Sequence, residues 1–184
     1  MNRALRQLLI GLAIAGAAGL AGARAVPQEV AGSLPDAVLG GNSRLTYLGF
    51  KVYDASLWVA PAFSVAQFDR HAFALELSYL RAFTGASIAQ RSVVEMRRQG
   101  GVSEVKLAQW QQKMLDVFPN VRRGDRLIGL HRPGVGAVFL LNGQPLATIA
   151  DEEFSRHFFG IWLSAQTSDL QLRRALVSQL PGRG

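Results

Sequence analysis

The sequence of 184 residues contains no cysteine. This absence excludes disulfide bonds, a thiol nucleophile and the lipid attachment that an exported lipoprotein requires. The fold must therefore be stabilised by its hydrophobic core, which a chain of this length can provide.

The common catalytic and cofactor-binding motifs are also missing. The sequence has no G-x-S-x-G nucleophile turn and no Walker loop. Its three histidines, His71, His131 and His157, are isolated and do not have the spacing of metal ligands. We therefore predict neither a cofactor nor a metal ion.

Long runs of basic residues are missing as well, although Lys and Arg outnumber Asp and Glu by 20 to 13. The arginines are scattered or paired, and no basic stretch is interleaved with aromatic residues. Three arginines and no acid lie among the first 25 residues, so the rest of the chain is less basic than the net charge of +7 indicates. This pattern does not favour a nucleic-acid partner.

The main uninterrupted apolar run lies close to the N terminus. It follows Arg3 and Arg6, extends from Leu8 to about Leu20 and leads into Ala23-Arg24-Ala25. A basic start, a short apolar stretch and an A-x-A site are typical of a secretory signal peptide. A transmembrane anchor is the alternative, but the run is shorter than the roughly 20 residues that span a bilayer.

These features predict a signal peptide at residues 1–25 that is cleaved before Val26, with cleavage after Ala23 as the nearby alternative. Residues 26–184 have the size of one domain. No later segment of the sequence is long and apolar enough to form a stable membrane span. We therefore expect a periplasmic or secreted protein, whose oligomeric state the sequence does not indicate.

The hydrophobic pattern of residues 26–184 predicts strands, then two helices, then strands, then two helices. Apolar alternation indicates strands over 44–49, 50–59, 73–81, 125–131, 136–141 and 144–149, and helical spacing indicates helices over 84–100, 103–118, 151–163 and 168–180. Asn142-Gly143 is a strong hairpin signal. This order predicts an α+β fold, with an antiparallel sheet and helices packed on one face.

Two side chains near the start of this sheet are candidate ligand-binding residues. Arg44 begins the first predicted strand, and Tyr53 lies on the apolar face of the second. If the strands bring them together, a guanidinium and a phenol stand at one end of an apolar slot and can bind a carboxylate, phenolate or enolate oxygen. The alternative is a surface arginine and a core tyrosine that do not meet.

The segments 41–47 and 51–59 resemble the opening of the chalcone isomerase-like family. Phe118-Pro119, Leu141-Asn142-Gly143 and the segment 158–163 are similar to later landmarks of that family. The resemblance extends over nearly all of residues 26–184, in order. It implies the family's open-faced sandwich of one antiparallel sheet and helices.

The family includes plant chalcone isomerases, which close a chalcone to a flavanone, and members that bind fatty acids. By this resemblance, Arg44 matches the arginine that both branches use. Tyr53 falls where the enzymes carry a threonine that helps hold the catalytic water and where the fatty-acid-binding members carry a tyrosine. The tyrosine, lysine and asparagine of the enzymes' first long helix fall near Ala89, Arg91 and Glu95, so only the basic character at Arg91 is retained.

The enzymes' late hydroxyl falls near Gly160 or Ile161, and neither residue carries a hydroxyl. Cyclisation needs a positioned water or proton donor, whereas fatty-acid binding needs only a cation and an apolar slot. The resemblance therefore favours a non-catalytic binder of a fatty acid or similar amphipathic carboxylate, with Arg44, Tyr53 and Arg91 as ligand-binding residues. One alternative is an isomerase, an intramolecular lyase in which Arg44 would be catalytic; another is a partner-binding protein without a ligand.

Overall fold

The structure is a computed structural model that describes residues 24–180. The predicted signal peptide lies outside this range except for its last two residues, Arg24 and Ala25. The described part contains strands β1 (Val38–Tyr47), β2 (Phe50–Val59), β3 (Phe73–Tyr79), β4 (Arg126–Arg132), β5 (Gly136–Leu141) and β6 (Gln144–Ile149). Its helices are α1 (Gln28–Ala31), α2 (Gly85–Gln99), α3 (Glu104–Val117), α4 (Glu152–Leu163) and α5 (Leu170–Leu176), and residues Val65–Arg70 form a 3-10 turn.

The six strands form one sheet in the order β1-β2-β3-β4-β5-β6, with every neighbouring pair antiparallel. Helices α2 to α5 contribute to the large core on one face of this sheet. The predicted α+β open-faced sandwich is therefore confirmed. Within the described chain, no helix is both long and apolar enough to cross a membrane.

The longer helices begin where the sequence provides a side-chain cap. Thr84 accepts a hydrogen bond from the Ser87 amide before α2, and Asp151 accepts one from the Phe154 amide before α4. Asp169 caps α5 in the same way. Such caps satisfy amides that have no partner inside the helix. The helix starts predicted at Thr84 and Asp151 are confirmed, whereas α5 is shorter than the predicted 168–180.

Two features of the N-terminal region differ from the sequence prediction. Strand β1 begins at Val38 rather than at Arg44, because the Gly40-Gly41 pair lies within the strand instead of ending it. A hypothetical Cβ on Gly41 would lie 2.2 Å from the Ala175 carbonyl oxygen, so glycine allows α5 to approach β1 closely. The unpredicted four-residue helix α1 packs on the other face of the sheet, where Val30 is fully buried.

A buried carboxylate lies on this second face. Glu76 is 1% exposed and accepts a hydrogen bond from the indole of Trp58 at 2.9 Å. The Arg24 guanidinium lies 2.8 Å from Glu76 and also bonds Ser56, and Arg126 lies 3.7 Å away. A buried charge requires such partners, so Arg24 contributes to this side of the fold.

Candidate ligand-binding site

A cavity of about 340 Å³ lies between the sheet and helices α2, α4 and α5. Alternation along the strands places Leu45 and Tyr47 of β1, and Leu77 and Tyr79 of β3, on the face that lines it. Helices α2 and α4 add further apolar side chains, among them Ile88, Phe158, Ile161 and Trp162. The wall is therefore largely apolar and suits a hydrocarbon ligand.

Tyr53 lines this cavity from the first half of β2 and is held by a neighbour on α4. The indole Nε1 of Trp162 donates a hydrogen bond to the Tyr53 hydroxyl oxygen at 2.9 Å. The Tyr53 ring packs edge-on against Tyr79, with 6.1 Å between the ring centroids. Because Tyr53 accepts from Trp162, its own O–H is left as a donor.

Burial raises the pKa of both Tyr53 and Tyr79 well above the ordinary tyrosine range. For Tyr53, the Trp162 hydrogen bond and the positive charge of Arg91 oppose this rise, and the negative charges of Asp169 and Glu95 add to it. Both phenols are therefore neutral at physiological pH. Each keeps an O–H group that can donate a hydrogen bond to a ligand oxygen.

Arg91 of α2 is the cationic group of the cavity. Of the described residues that line it, Arg91 alone carries a positive charge. Its side chain is 60% exposed, so it stands where the cavity opens to solvent. The guanidinium lies 2.6 Å from the Glu95 carboxylate, one helical turn away, and 5.7 Å from the centre of the Tyr47 ring. One carboxylate does not saturate the five N–H donors of an arginine.

The structure does not bring Arg44 and Tyr53 together. Arg44 makes two hydrogen bonds to Asp54, Nε to Oδ1 at 2.6 Å and Nη2 to Oδ2 at 2.8 Å. Arg44 is paired with Asp54 across the two strands, and the next pair, Leu45 with Tyr53, lines the cavity. Neighbouring residues of a strand point to opposite faces. The predicted slot with Arg44 and Tyr53 at one end is therefore replaced by a cavity with Tyr53 and Arg91.

The Arg44–Asp54 pair is an exposed ion pair of the outer face. The side chains are 45% and 39% exposed, respectively. The hydrogen bond from Arg44 lowers the pKa of Asp54, and the same bond raises the pKa of Arg44. Both groups are charged at neutral pH, and each is the hydrogen-bond partner of the other.

Several cavity residues were not predicted as site residues from the sequence. Tyr79 is the cross-strand partner of Tyr53, so the antiparallel register is the signal that would have identified it. Trp162 follows Phe158 by one helical turn, so the two share a face of α4. Asp169 also lines the cavity, and no motif marks it, because its cap of α5 is sufficient to explain it.

The three histidines lie outside the lining of this cavity. Both ring nitrogens of His131 are hydrogen-bonded, Nδ1 to the Ser155 hydroxyl at 2.6 Å and Nε2 to the Asp69 carbonyl at 2.9 Å. Burial lowers the pKa of His131, which favours the neutral ring. His157 interacts through Nδ1 with the Glu153 carbonyl at 3.0 Å.

Comparison with known proteins decides the family. The sequence profile described as chalcone isomerase-like matches residues 31–178, which is most of the chain. The chain belongs to the chalcone isomerase-like family. No curated protein matches it.

A solved structure of the same fold is the fatty-acid binding protein of Arabidopsis thaliana. It superposes on this chain with a TM-score of 0.61 and 12% sequence identity, covering 78% of this chain and 87% of that one. At this identity the likeness establishes the fold. It confirms the chalcone isomerase-like architecture predicted from the sequence.

The positions that the sequence resemblance matches to the polar groups of the enzymes' first long helix and to their late hydroxyl are arranged as follows in this family member. Arg91 and Glu95 line the cavity, whereas Ala89 is fully buried and is not part of the lining. Ile161 lines the cavity with an aliphatic side chain, and Gly160 packs against the Gln99 amide. These positions therefore offer one cation and one carboxylate, and no hydroxyl.

Proposed function

We propose that this chalcone isomerase-like protein binds a fatty acid or a similar amphipathic carboxylate in the cavity and does not convert it chemically. The observation that carries the proposal is a largely apolar cavity at whose opening Arg91 is the one guanidinium among the described lining residues. The solved structure of the same fold, a fatty-acid binding protein of Arabidopsis thaliana, supports it.

The cavity suits the tail of such a ligand. Its volume of about 340 Å³ falls within the range of roughly 300–1,000 Å³ that is usual for small-molecule sites. Burying a dozen methylenes at ~0.8 kcal/mol each contributes about 10 kcal/mol. Because association itself costs about 4–15 kcal/mol, the contacts of the carboxylate determine whether binding is useful.

Two groups are available for the carboxylate. Arg91 can offer N–H donors that Glu95 does not use, and a charge-assisted bond of this kind is stronger than a neutral one. Tyr53 is neutral and can donate its O–H without repelling an anion. Glu95 and Asp169 also line the cavity, and their negative charges oppose an anion placed beside them, so the carboxylate belongs next to Arg91.

A cavity-filling variant tests this proposal. Ser92 is 7% exposed and lines the cavity, so Ser92→Phe places a ring inside it. Gln109→Phe adds the same ring to an exposed position of α3 and is the matched control. In calorimetric titration with dodecanoic acid, we expect binding by the wild type and the control, and a loss of binding by Ser92→Phe. Equal binding by all three, with thermal melts that show folded protein, would refute the cavity as the site.

We also propose that the protein is exported and acts in the periplasm or outside the cell. The support is the sequence of residues 1–25, and the mature chain should begin at Val26 or within two residues of it. Cleavage after Ala23 would keep Arg24 beside the buried Glu76, whereas cleavage before Val26 would remove that partner. Intact-mass measurement distinguishes these two ends, and a periplasmic protein that retains Met1 would contradict the proposal.

A further inference from the structure

An apolar cluster lies at the tip of the hairpin that joins β1 and β2. Tyr47, Leu48 and Phe50, here called the hairpin tip, are 57%, 78% and 61% exposed. The turn residues Leu48 and Gly49 have positive φ angles of 48° and 79°. Such turns favour Asn, Asp or Gly, so a leucine here is unfavourable for the backbone, and most of its side chain is exposed.

Cationic side chains surround the hairpin tip. The Arg91 guanidinium lies 5.7 Å from the centre of the Tyr47 ring, and that of Arg81 lies 4.9 Å from the centre of the Phe50 ring. Lys51 follows Phe50 directly in β2. The nearby Asp54 is bound to Arg44. The surface around the tip thus combines large apolar groups with positive charge.

One residue of the hairpin tip, Tyr47, lies at the cavity, whereas Leu48 and Phe50 are not part of its lining. Tyr47 lines the cavity, and so does Phe83, which lies 5.9 Å from the Arg81 guanidinium. A hydrophobic ligand that leaves the cavity at Arg91 therefore passes the tip. An apolar tip protects such a ligand from water only if the tip itself enters an apolar medium.

We propose that the hairpin tip inserts into the surface of a lipid bilayer that contains anionic lipids, so that the fatty acid passes directly between membrane and cavity. Exposed Leu and aromatic side chains partition into the boundary of headgroups and acyl chains, and nearby Lys and Arg are attracted to anionic headgroups. The charge around the tip selects this partner over a neutral apolar surface. This inference rests on the proposed function, since it supplies the route of the same ligand.

Vesicle binding tests the docking surface. Purified protein is sedimented with vesicles of phosphatidylglycerol and phosphatidylcholine in equal parts, or of phosphatidylcholine alone. We expect binding to the first, weakened by salt, and a loss of roughly tenfold or more in Leu48→Asn, because asparagine suits the turn but removes the apolar group. Val105→Ser, on α3, removes a side chain that is 70% exposed and should bind as the wild type does.

Transfer kinetics test the route. The transfer rate of a fluorescent fatty acid to acceptor vesicles should rise with vesicle concentration for the wild type and lose that dependence in Leu48→Asn. Affinity for free dodecanoic acid without vesicles should be equal in both proteins.

The failures can be distinguished. If the protein binds the free acid but not anionic vesicles, docking is wrong and the proposed function stands. If the protein binds anionic vesicles but not the acid, membrane docking is supported and the proposed function is refuted. The wild type could instead form a concentration-dependent dimer that is lost in Leu48→Asn, without binding vesicles. This result would show that a second copy covers the tip and would overturn the inference.

Discussion

Arg91 and Arg98 provide a matched pair of substitutions for the role of the cavity cation. Both lie on α2, both side chains are 60% exposed, and both are ion-paired with Glu95, at 2.6 Å and 3.9 Å. Arg91 lines the cavity and Arg98 does not. The two alanine variants therefore remove the same charge from the same helix and differ in whether the lost group faces the ligand.

The magnitude follows from the position of Arg91. A hydrogen bond to a charged group contributes about 1.5–3 kcal/mol when it is shielded from water. Because the Arg91 side chain is largely exposed, solvent reduces this value, and exposed ion pairs contribute about 1 kcal/mol or less. Because Arg91 stands at the edge of the cavity, we expect a value between these two: Arg91→Ala should cost about 1.4 kcal/mol, which is roughly a tenfold loss of affinity.

The assay is calorimetric titration with dodecanoic acid and, in parallel, with dodecanol, which has the same tail and no charge. Arg91→Ala should weaken binding of the acid about tenfold and leave binding of the alcohol unchanged. Arg98→Ala should leave both affinities within about twofold of the wild type. Equal losses in the two variants would show that Glu95 or net charge matters, and not the contact at the cavity. Unchanged binding of the acid by Arg91→Ala would refute the reasoning.

Four further outcomes are expected. Tyr53→Phe should weaken dodecanoic acid by about 1 kcal/mol in titration, the value of one hydrogen bond, whereas Arg44→Ala should bind normally because it does not line the cavity. Gly41→Ala should lower stability by about 2–3 kcal/mol in thermal melts because its Cβ meets a carbonyl oxygen, while Gly32→Ala, with its nearest contact at 3.5 Å, should change little. The free energy of unfolding should fall as the pH drops below about 6.5, since burial lowers the pKa of His131 and the unfolded chain then binds more protons. A free energy of unfolding that does not change with pH in this range, and that behaves identically in His131→Gln, would contradict this. Absorbance assays should detect no enzyme-dependent cyclisation of chalcone, and a rate above background would reverse that expectation.

Local patterns in the sequence determined most elements of the fold. The strand over Phe73–Tyr79 follows from strict alternation, and the starts of α2 and α4 follow from the capping side chains Thr84 and Asp151. Asn142-Gly143 identified the β5–β6 hairpin, where both residues have positive φ. These signals depend on neighbours a few residues apart, so one sequence is sufficient to read them.

The candidate site depends on strand pairing and on contacts between residues that are far apart in the sequence. The sequence placed Tyr53 on an apolar face, and the resemblance to the family indicated Arg91; both line the cavity. It could not place Arg44, because the face of a strand residue depends on its pairing register, and a shift by one residue exchanges the two faces. Strand β1 has register shifts next to Gly41 and Leu45, which alternation alone does not reveal.

The cavity itself and the second face of the sheet were decided only by the tertiary structure. Trp162 and Tyr53 are 109 positions apart, and their hydrogen bond exists because α4 packs on the face of the sheet that carries Tyr53. Arg24 lies beside Glu76, 52 positions away, because the N-terminal segment covers the other face. The sequence determined which segments are helices and strands and which side chains are apolar. The packing of distant elements decided where the cavity lies, and therefore that Arg91 rather than Arg44 lines it.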